Sequence, residues 1–189
     1  MLDAYNIKFN QPKEQWDKFS RYYTRLEVSA KTILLAEGEI SKKAYLIESG
    51  CVRVWFNNKG KDITFQFFFE GEGVSSIESF TKRLPSLYAI ETIEPCVLYV
   101  INKKDMDFIL KELNEIPAIR EQLSNIALDR QINYMQHFIN LIKYTPKERY
   151  LNLLKEKPNI IKRIPQHYIA SYLGITPVSL SRIRNAIIR

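Results

Sequence analysis

Near its end the chain reads QHYIASYLGITPVSLSRIRN, residues 166–185. The last part of this stretch, read as a helix, presents Ser179, Arg182 and Asn185 on one face, with Ser181 and Arg184 towards its edge. Hydroxyl, guanidinium and carboxamide groups at this spacing can hydrogen-bond phosphates and the edges of base pairs, the chemistry a major-groove helix needs. Gln166 and His167 open the stretch, and Thr176, Pro177 and Val178 stand at its turn. With Ser179, Ser181, Arg182 and Asn185 they form the candidate DNA-contact set.

Two short helices and a tight turn must position these groups. Gly174 stands where the first helix has to stop, because glycine enters the left-handed region without a Cβ penalty. Thr176 is placed to cap the second helix, and Pro177 takes its first position, where a missing N–H costs nothing. Ile169, Leu173, Leu180 and Ile183 fall on inward faces at helical spacing. Ala170 is small where the second helix must cross closely. A helical hairpin buried in a core would need neither this order of glycine, cap and proline nor arginines on its free face.

Charge supports the same reading. Residues 1–145 hold 19 basic and 19 acidic side chains, whereas residues 146–189 hold 9 basic and 2 acidic ones. The whole net charge of +7 therefore lies in the segment with the hairpin, the expected footprint of phosphate binding. The 189 residues, 46% of them hydrophobic, suffice for one sizeable core and a small second domain. No apolar run is long enough to span a membrane. The opening MLDAYN lacks the basic and apolar regions of a signal peptide. Cys51 and Cys96 sit in apolar strand-like runs and read as buried thiols of a reduced cytoplasm. An enzyme of the cupin type would need clustered histidines and carboxylates for its metal. The two histidines are His137 and His167, with no ligand spacing around them, so neither a metal nor an enzymatic activity is expected.

In chain order, residues 11–26 read as an amphipathic helix with Trp16, Phe19, Tyr23 and Leu26 on one face. From Val28 to about Ile101 the period changes to two. Apolar runs at 32–36, 44–47, 51–56, 63–69, 87–93 and 96–101 alternate with turn residues, which predicts an antiparallel sandwich or roll. Residues 103–112 return to a helical period. A longer helix is expected over 117–143, with one apolar stripe of Ile116, Ile119, Leu123 and Ile126 and a second, shifted in phase, of Leu128, Ile132, Met135, Ile139 and Ile142. One stripe suits the roll and the other a partner helix, with self-pairing the natural use. Pro146 ends that helix, and Thr145 with Glu148 forms a capping box for a helix over 147–156. Pro158 and Pro165 bound a short connection. The expected domains are 1–116, 117–144 and 145–189.

In the order of its parts the chain resembles the Crp/Fnr regulators, the family of the catabolite activator and the fumarate–nitrate regulators. The residues that carry the resemblance are Glu37-Gly38-Glu39, AYLIESGCVRV (44–54) and IASYLGITPVSLSRI (169–183). The resemblance implies an α+β chain: an antiparallel β-roll of the cyclic-nucleotide-binding type (a double-stranded β-helix), a long dimerisation helix, and a C-terminal helix-turn-helix with a short or absent wing. It also implies a cytoplasmic homodimer on a dyad-symmetric DNA operator, with RNA polymerase as a further partner. The subunit contact would use Leu123, Leu128, Ile132, Met135 and Ile139. Arg182 falls where the family places a base-contacting arginine, which can grip guanine O6 and N7.

Two departures from the family pattern matter. At the start of the recognition helix the family often has an arginine–glutamate pair, and here Pro177 and Val178 stand instead. The family's cyclic-nucleotide binders use a glycine–glutamate pair for the ribose and a later arginine for the phosphate. Counted back without gaps from CVLYVI (96–101), these positions are Ser75, Ser76 and Ser86, the last followed by Leu87. The same count puts Tyr134 and Met135 where the long helix meets nucleotide from the second subunit. Burying a cyclic phosphate without a cation is costly, although Lys82 and Arg83 lie in the same loop. No cofactor and no cyclic AMP control are therefore expected. The alternative is a sensor whose roll binds a cyclic nucleotide or another small effector, of identity left open, to control DNA binding.

Overall fold

Eight strands form two four-stranded sheets in a computed structural model that describes residues 13–188. The strands are β1 (Thr24–Val28), β2 (Ile33–Leu35), β3 (Lys43–Ser49), β4 (Val52–Asn58), β5 (Lys61–Phe68), β6 (Gly73–Val74), β7 (Ala89–Thr92) and β8 (Cys96–Asn102). The sheet orders are β1-β8-β3-β6 and β2-β7-β4-β5. Helix α1 (Lys13–Ser20) precedes the strands, and α2 (Ile77–Lys82) interrupts them. Then follow α3 (Lys103–Asn114), α4 (Pro117–Lys143), α5 (Pro146–Glu156), α6 (Pro158–Arg163), α7 (Gln166–Tyr172) and α8 (Pro177–Ile188). Strands followed by helices make this the α+β chain expected. Two compact units share it: Phe68–Ala127 with the chain up to Arg53, and Val54–Phe67 with the chain from Leu128 onward.

The first unit is built on β8, which pairs antiparallel with both β1 and β3. Alternate residues of these strands turn Ala44, Leu46, Tyr99 and Ile101 into one core, joined by Phe19, Phe80, Ile109, Leu113 and Ile119. Ile119 is wholly buried in this cluster, and Ile116, Leu123 and Ile126 pack against it. The first apolar stripe of α4 is thus satisfied within the unit. Leu123, expected at the subunit contact, is partly buried against this core instead of standing free. It is five residues from Leu128, some 140° around the helix, so the two cannot share a face.

The chain turns tightly at Gly50, with φ of 102°. A Cβ there would meet Cys96 Sγ at 2.5 Å and the Pro95 carbonyl at 2.8 Å, so only glycine fits the GCVRV turn. Cys51 and Cys96 are buried free thiols. Arg53, 3% exposed, is paired with Glu91 through Nε at 2.6 Å.

Three expectations are corrected here. The helix expected over 11–26 ends at Ser20, and residues 24–28 become β1. Helical spacing of apolar residues did not decide this segment, because β8 offers it a ladder from Thr24↔Val100 to Val28↔Cys96. Phe19 is buried as expected; residues 11 and 12 and the Trp16 side chain lie outside what is described. The segment between Pro158 and Pro165 is a helix, α6, with Pro158 in its first turn and Ile160 buried. Between the expected strands 63–69 and 87–93 lie a two-residue strand, β6, and a six-residue helix, α2. Both are too short to imprint a period.

In the second unit α4 ends at Lys143 and α5 begins at Pro146, at the expected proline. The capping box is complete: Glu148 N–H donates to Thr145 Oγ1 at 3.4 Å, and Thr145 N–H donates to Glu148 Oε2 at 2.8 Å. The Thr145 hydroxyl, which also donates to Glu148 Oε2 at 2.7 Å, and then the Thr145 N–H hold the Glu148 carboxyl below its usual range. Tyr150, Leu153, Ile160, Ile164, Ile169, Ala170, Tyr172, Leu173 and Leu180 are buried. The hairpin 54–67 belongs to this unit. Its two-residue turn, Lys59-Gly60, has φ of 52° and 82°, as a primed turn requires. Ser171 Oγ donates to the Asp62 carbonyl at 2.9 Å and accepts from Thr64 N–H at 2.8 Å. Phe67 and Tyr172 place their rings 5.2 Å apart.

Candidate nucleic-acid interface and effector site

Helix α7 stops at a Schellman motif. Leu173 is the C-cap, and Gly174 follows in the left-handed region with φ of 65°. Ile175 N–H donates to the Ala170 carbonyl at 3.0 Å and Gly174 N–H to the Ser171 carbonyl at 2.9 Å. Two residues later Thr176 Oγ1 accepts from Ser179 N–H at 3.1 Å, which caps α8. The Thr176 carbonyl accepts the first helical bond, from Leu180 N–H at 3.0 Å. Leu180 and Ala170 are fully buried, so α8 sits tightly on α7.

That packing aims the rest of α8 outward. Val178 is 61% exposed, and Ser181, Arg182 and Asn185 are exposed with it. Thr176, Pro177, Gln166 and His167 are also exposed. Ser179 differs. It is half-buried, and its Oγ lies 2.9 Å from Thr176 Oγ1, so the cap engages it. Arg184 is half-buried, off the exposed ridge.

The serines expected in the effector pocket gather in the first unit, between β6 and β7. Ser76 and Ser86 are buried and Ser75 is half-buried. Ser86 Oγ donates to the Tyr88 carbonyl at 2.6 Å and lies 2.8 Å from Ser76 Oγ. Gly38 N–H donates to the Ser86 carbonyl and Ser86 N–H to the Glu39 carbonyl, both at 2.8 Å. The Glu37-Gly38-Glu39 turn is thereby tied to the serines. Leu87 points away, 72% exposed. Lys82 is exposed and pairs with Glu78 at 3.0 Å. Arg83 is the left-handed cap of α2. Tyr134 and Met135 belong to the second unit and are exposed on α4.

From Leu128 onward the apolar side of α4 is uncovered. Leu128, Ile132, Met135, Ile139 and Ile142 are exposed by 53%, 36%, 55%, 45% and 71%. Their spacing of four, three, four and three is an a/d seam.

A further group stands in the last third of the same helix, with no counterpart in the sequence reading. His137 stacks on Tyr172, with centroids 4.2 Å apart and planes 16° from parallel. Burial, then the nearby Lys157 and Arg149 cations, pushes His137 down to about 4. Burial, then Glu156, pushes Tyr172 up to about 12. The signal was missed because His137, Arg149 and Tyr172 are far apart in sequence and share no motif.

Residues 25–112 match the cyclic nucleotide-binding domain family. The chain is similar in structure to the c-di-GMP-responsive global regulator CLP of Xanthomonas campestris, with a TM-score of 0.73 and 16% identity over 93% of this chain and 91% of that one. It is similar to a CooA variant of Carboxydothermus hydrogenoformans, with a TM-score of 0.71 and 18% identity over 96% of this chain and 82% of that one. A protein of Eubacterium rectale assigned to the Crp/Fnr transcriptional regulators gives a TM-score of 0.72 and 16% identity over 97% of this chain and 87% of that one. No curated protein matches the chain in sequence. At these identities the fold is what is shared: a cyclic nucleotide-binding domain, a long helix and further helices, in the order of the Crp/Fnr regulators. No helix among the described residues is long and apolar enough to cross a membrane.

Proposed function

We propose that the protein is a dimeric DNA-binding transcription regulator of the Crp/Fnr type that is not controlled by cyclic AMP. The observation that carries this reading is the capped helix α8. It turns Val178, Ser181, Arg182 and Asn185 to solvent from a segment that holds all of the chain's excess positive charge. Arg182 reads a base edge, and Val178 can meet only a thymine methyl, so the operator differs from those read by an arginine–glutamate pair. The uncovered a/d seam of α4 supports a parallel pairing of two copies. Two such copies present their α8 helices to successive major grooves, about 34 Å apart. The regulator acts in the cytoplasm, with RNA polymerase as its downstream partner, and catalyses no reaction.

The serine cluster supports the absence of cyclic AMP control. Ser76 and Ser86 bond to each other rather than opening towards a ligand. The buried guanidinium of Arg53 is already opposed by Glu91. A cyclic phosphate placed there would lack a cation of its own. The rival reading, a roll that binds a cyclic nucleotide or another effector, is favoured by the family match over 25–112. Calorimetry separates the two: cyclic AMP gives no heat of binding at micromolar concentrations, and a micromolar or tighter isotherm would establish the rival. Selection of bound duplexes from a random pool, with and without cell extract, tests the DNA reading and reveals any effector dependence.

A further inference from the structure

The second unit contains a cavity of about 510 Å³ between the end of α4, α5 and α7. That is the size of ordinary small-molecule sites. Its walls combine two cations, Arg149 and Lys157, the carboxamides of Asn140 and Asn152, and the stacked His137–Tyr172 pair.

Arg149 is held in place. Its Nη1 donates to the Leu141 carbonyl at 3.2 Å, the carbonyl of an α4 residue near the helix end. Its Nε is buried and has no hydrogen-bond partner. A buried N–H left unpaired is costly, and more so on a charged group, whereas Arg149 as a whole lines the cavity. The edge of a guanidinium that carries Nε is a two-donor fork that fits the paired oxygens of a carboxylate or phosphate. Asn152 Nδ2 already donates to Asn140 Oδ1, at 3.4 Å, so these amides form a fixed rim and do not fill the gap. His137 sits among the same charges as a neutral ring and adds an aromatic wall. Glu156 is the one acidic residue lining the cavity among the described residues, against two cations.

We propose that this cavity is a binding site for a small organic anion, whose carboxylate or phosphomonoester head is held by Arg149 and Lys157 and whose body lies against the His137–Tyr172 pair. The site is distinct from the serine cluster between β6 and β7 and needs no DNA. An occupant would bridge α5 to the end of α4 and tie down α7, whose Tyr172 forms the far wall.

The chain's two histidines make the test direct, because ring NMR gives one signal inside the cavity, His137, and one outside it, His167. The full-length protein is titrated separately with phenyl phosphate and with benzoate. Expected is a saturable shift of His137, with His167 still, for at least one probe, and the tighter probe identifies the head group. Arg149→Lys keeps the charge but loses the fork, and should weaken that binding at least tenfold. Lys157→Gln, which leaves Arg149 and its bond to Leu141 in place, should weaken it several-fold. A wild-type His137 signal that fails to saturate with either probe, or moves together with His167, overturns the proposal. So does unchanged affinity in a folded Lys157→Gln variant.

Discussion

Arg182 and Arg184 carry the same charge on the same helix and should do different work. They stand about 200° apart around α8; Arg182 is exposed on the ridge with Val178, Ser181 and Asn185, whereas Arg184 is half-buried. Arg182→Ala should cost about 1–3 kcal/mol per half-site and relax preference at one base pair. Arg184→Ala should cost less, weaken all sequences alike and reduce the salt slope by at most about one. Binding of both variants to the operator and to its single-base changes, across salt, separates the roles. Uniform weakening by Arg182→Ala would make that arginine a phosphate clamp. His137 yields a pH prediction. Its folded value of about 4 lies below the ordinary 6.5, because burial, Lys157 and Arg149 oppose the charged ring. The stability it contributes is complete above pH 6.5 and is lost as pH falls towards 4. The loss by pH 5 is at most about 2 kcal/mol, reduced by solvent screening of a half-buried ring. Urea midpoints at pH 7.5 and 5 should fall further for the wild type than for His137→Phe, and equal falls would refute the assignment. The Gly174 turn, the Thr176 cap and the exposure of Arg182 were legible in sequence because each follows from local backbone geometry or helical position. The engagement of Ser179 with Thr176, and the gathering of His137 with Arg149, depend on packing that no local pattern records.

At the level of elements, α4 does two things along its length. Its first half spends Ile119 and, in part, Leu123 and Ile126 on the core of the roll. From Leu128 onward its apolar seam is uncovered. Changing Ile132 and Ile139 together to Lys should yield monomers in sedimentation while thermal unfolding stays cooperative, because neither side chain is buried in the single chain. Dimers that survive the double change would place the contact elsewhere. The 27 residues of α4 and the start of α5 were readable because a long period and a proline-bounded capping box are local signals. β1 was not readable. TRLEV fits a helical face as well as a strand, and its partner β8 lies about 70 residues away. The two residues of β6 and six of α2 were too short to show a period.

For the whole molecule, a cyclic nucleotide-binding-type roll, an uncovered apolar seam and a basic pair of helices stand on one chain in the order found in the Crp/Fnr regulators that share its fold. That order was legible because each part has its own signature: period two, then long apolar stripes, then glycine, cap and proline. The chemistry of the serine cluster was less so, since serines at 75, 76 and 86 say which groups are missing and leave open whether anything binds there. If two copies pair through α4, the two α8 helices must face the same side of a duplex, one helical turn apart. The most direct measurement is the sequence of duplexes selected from a random pool by the purified full-length protein. Expected is an enriched site of two inverted half-sites whose centres lie about 34 Å apart, one turn of B-DNA. The Ile132 and Ile139 double change should abolish the enrichment. A pool that stays random, or an enriched site without dyad symmetry, would contradict the dimeric DNA-binding reading.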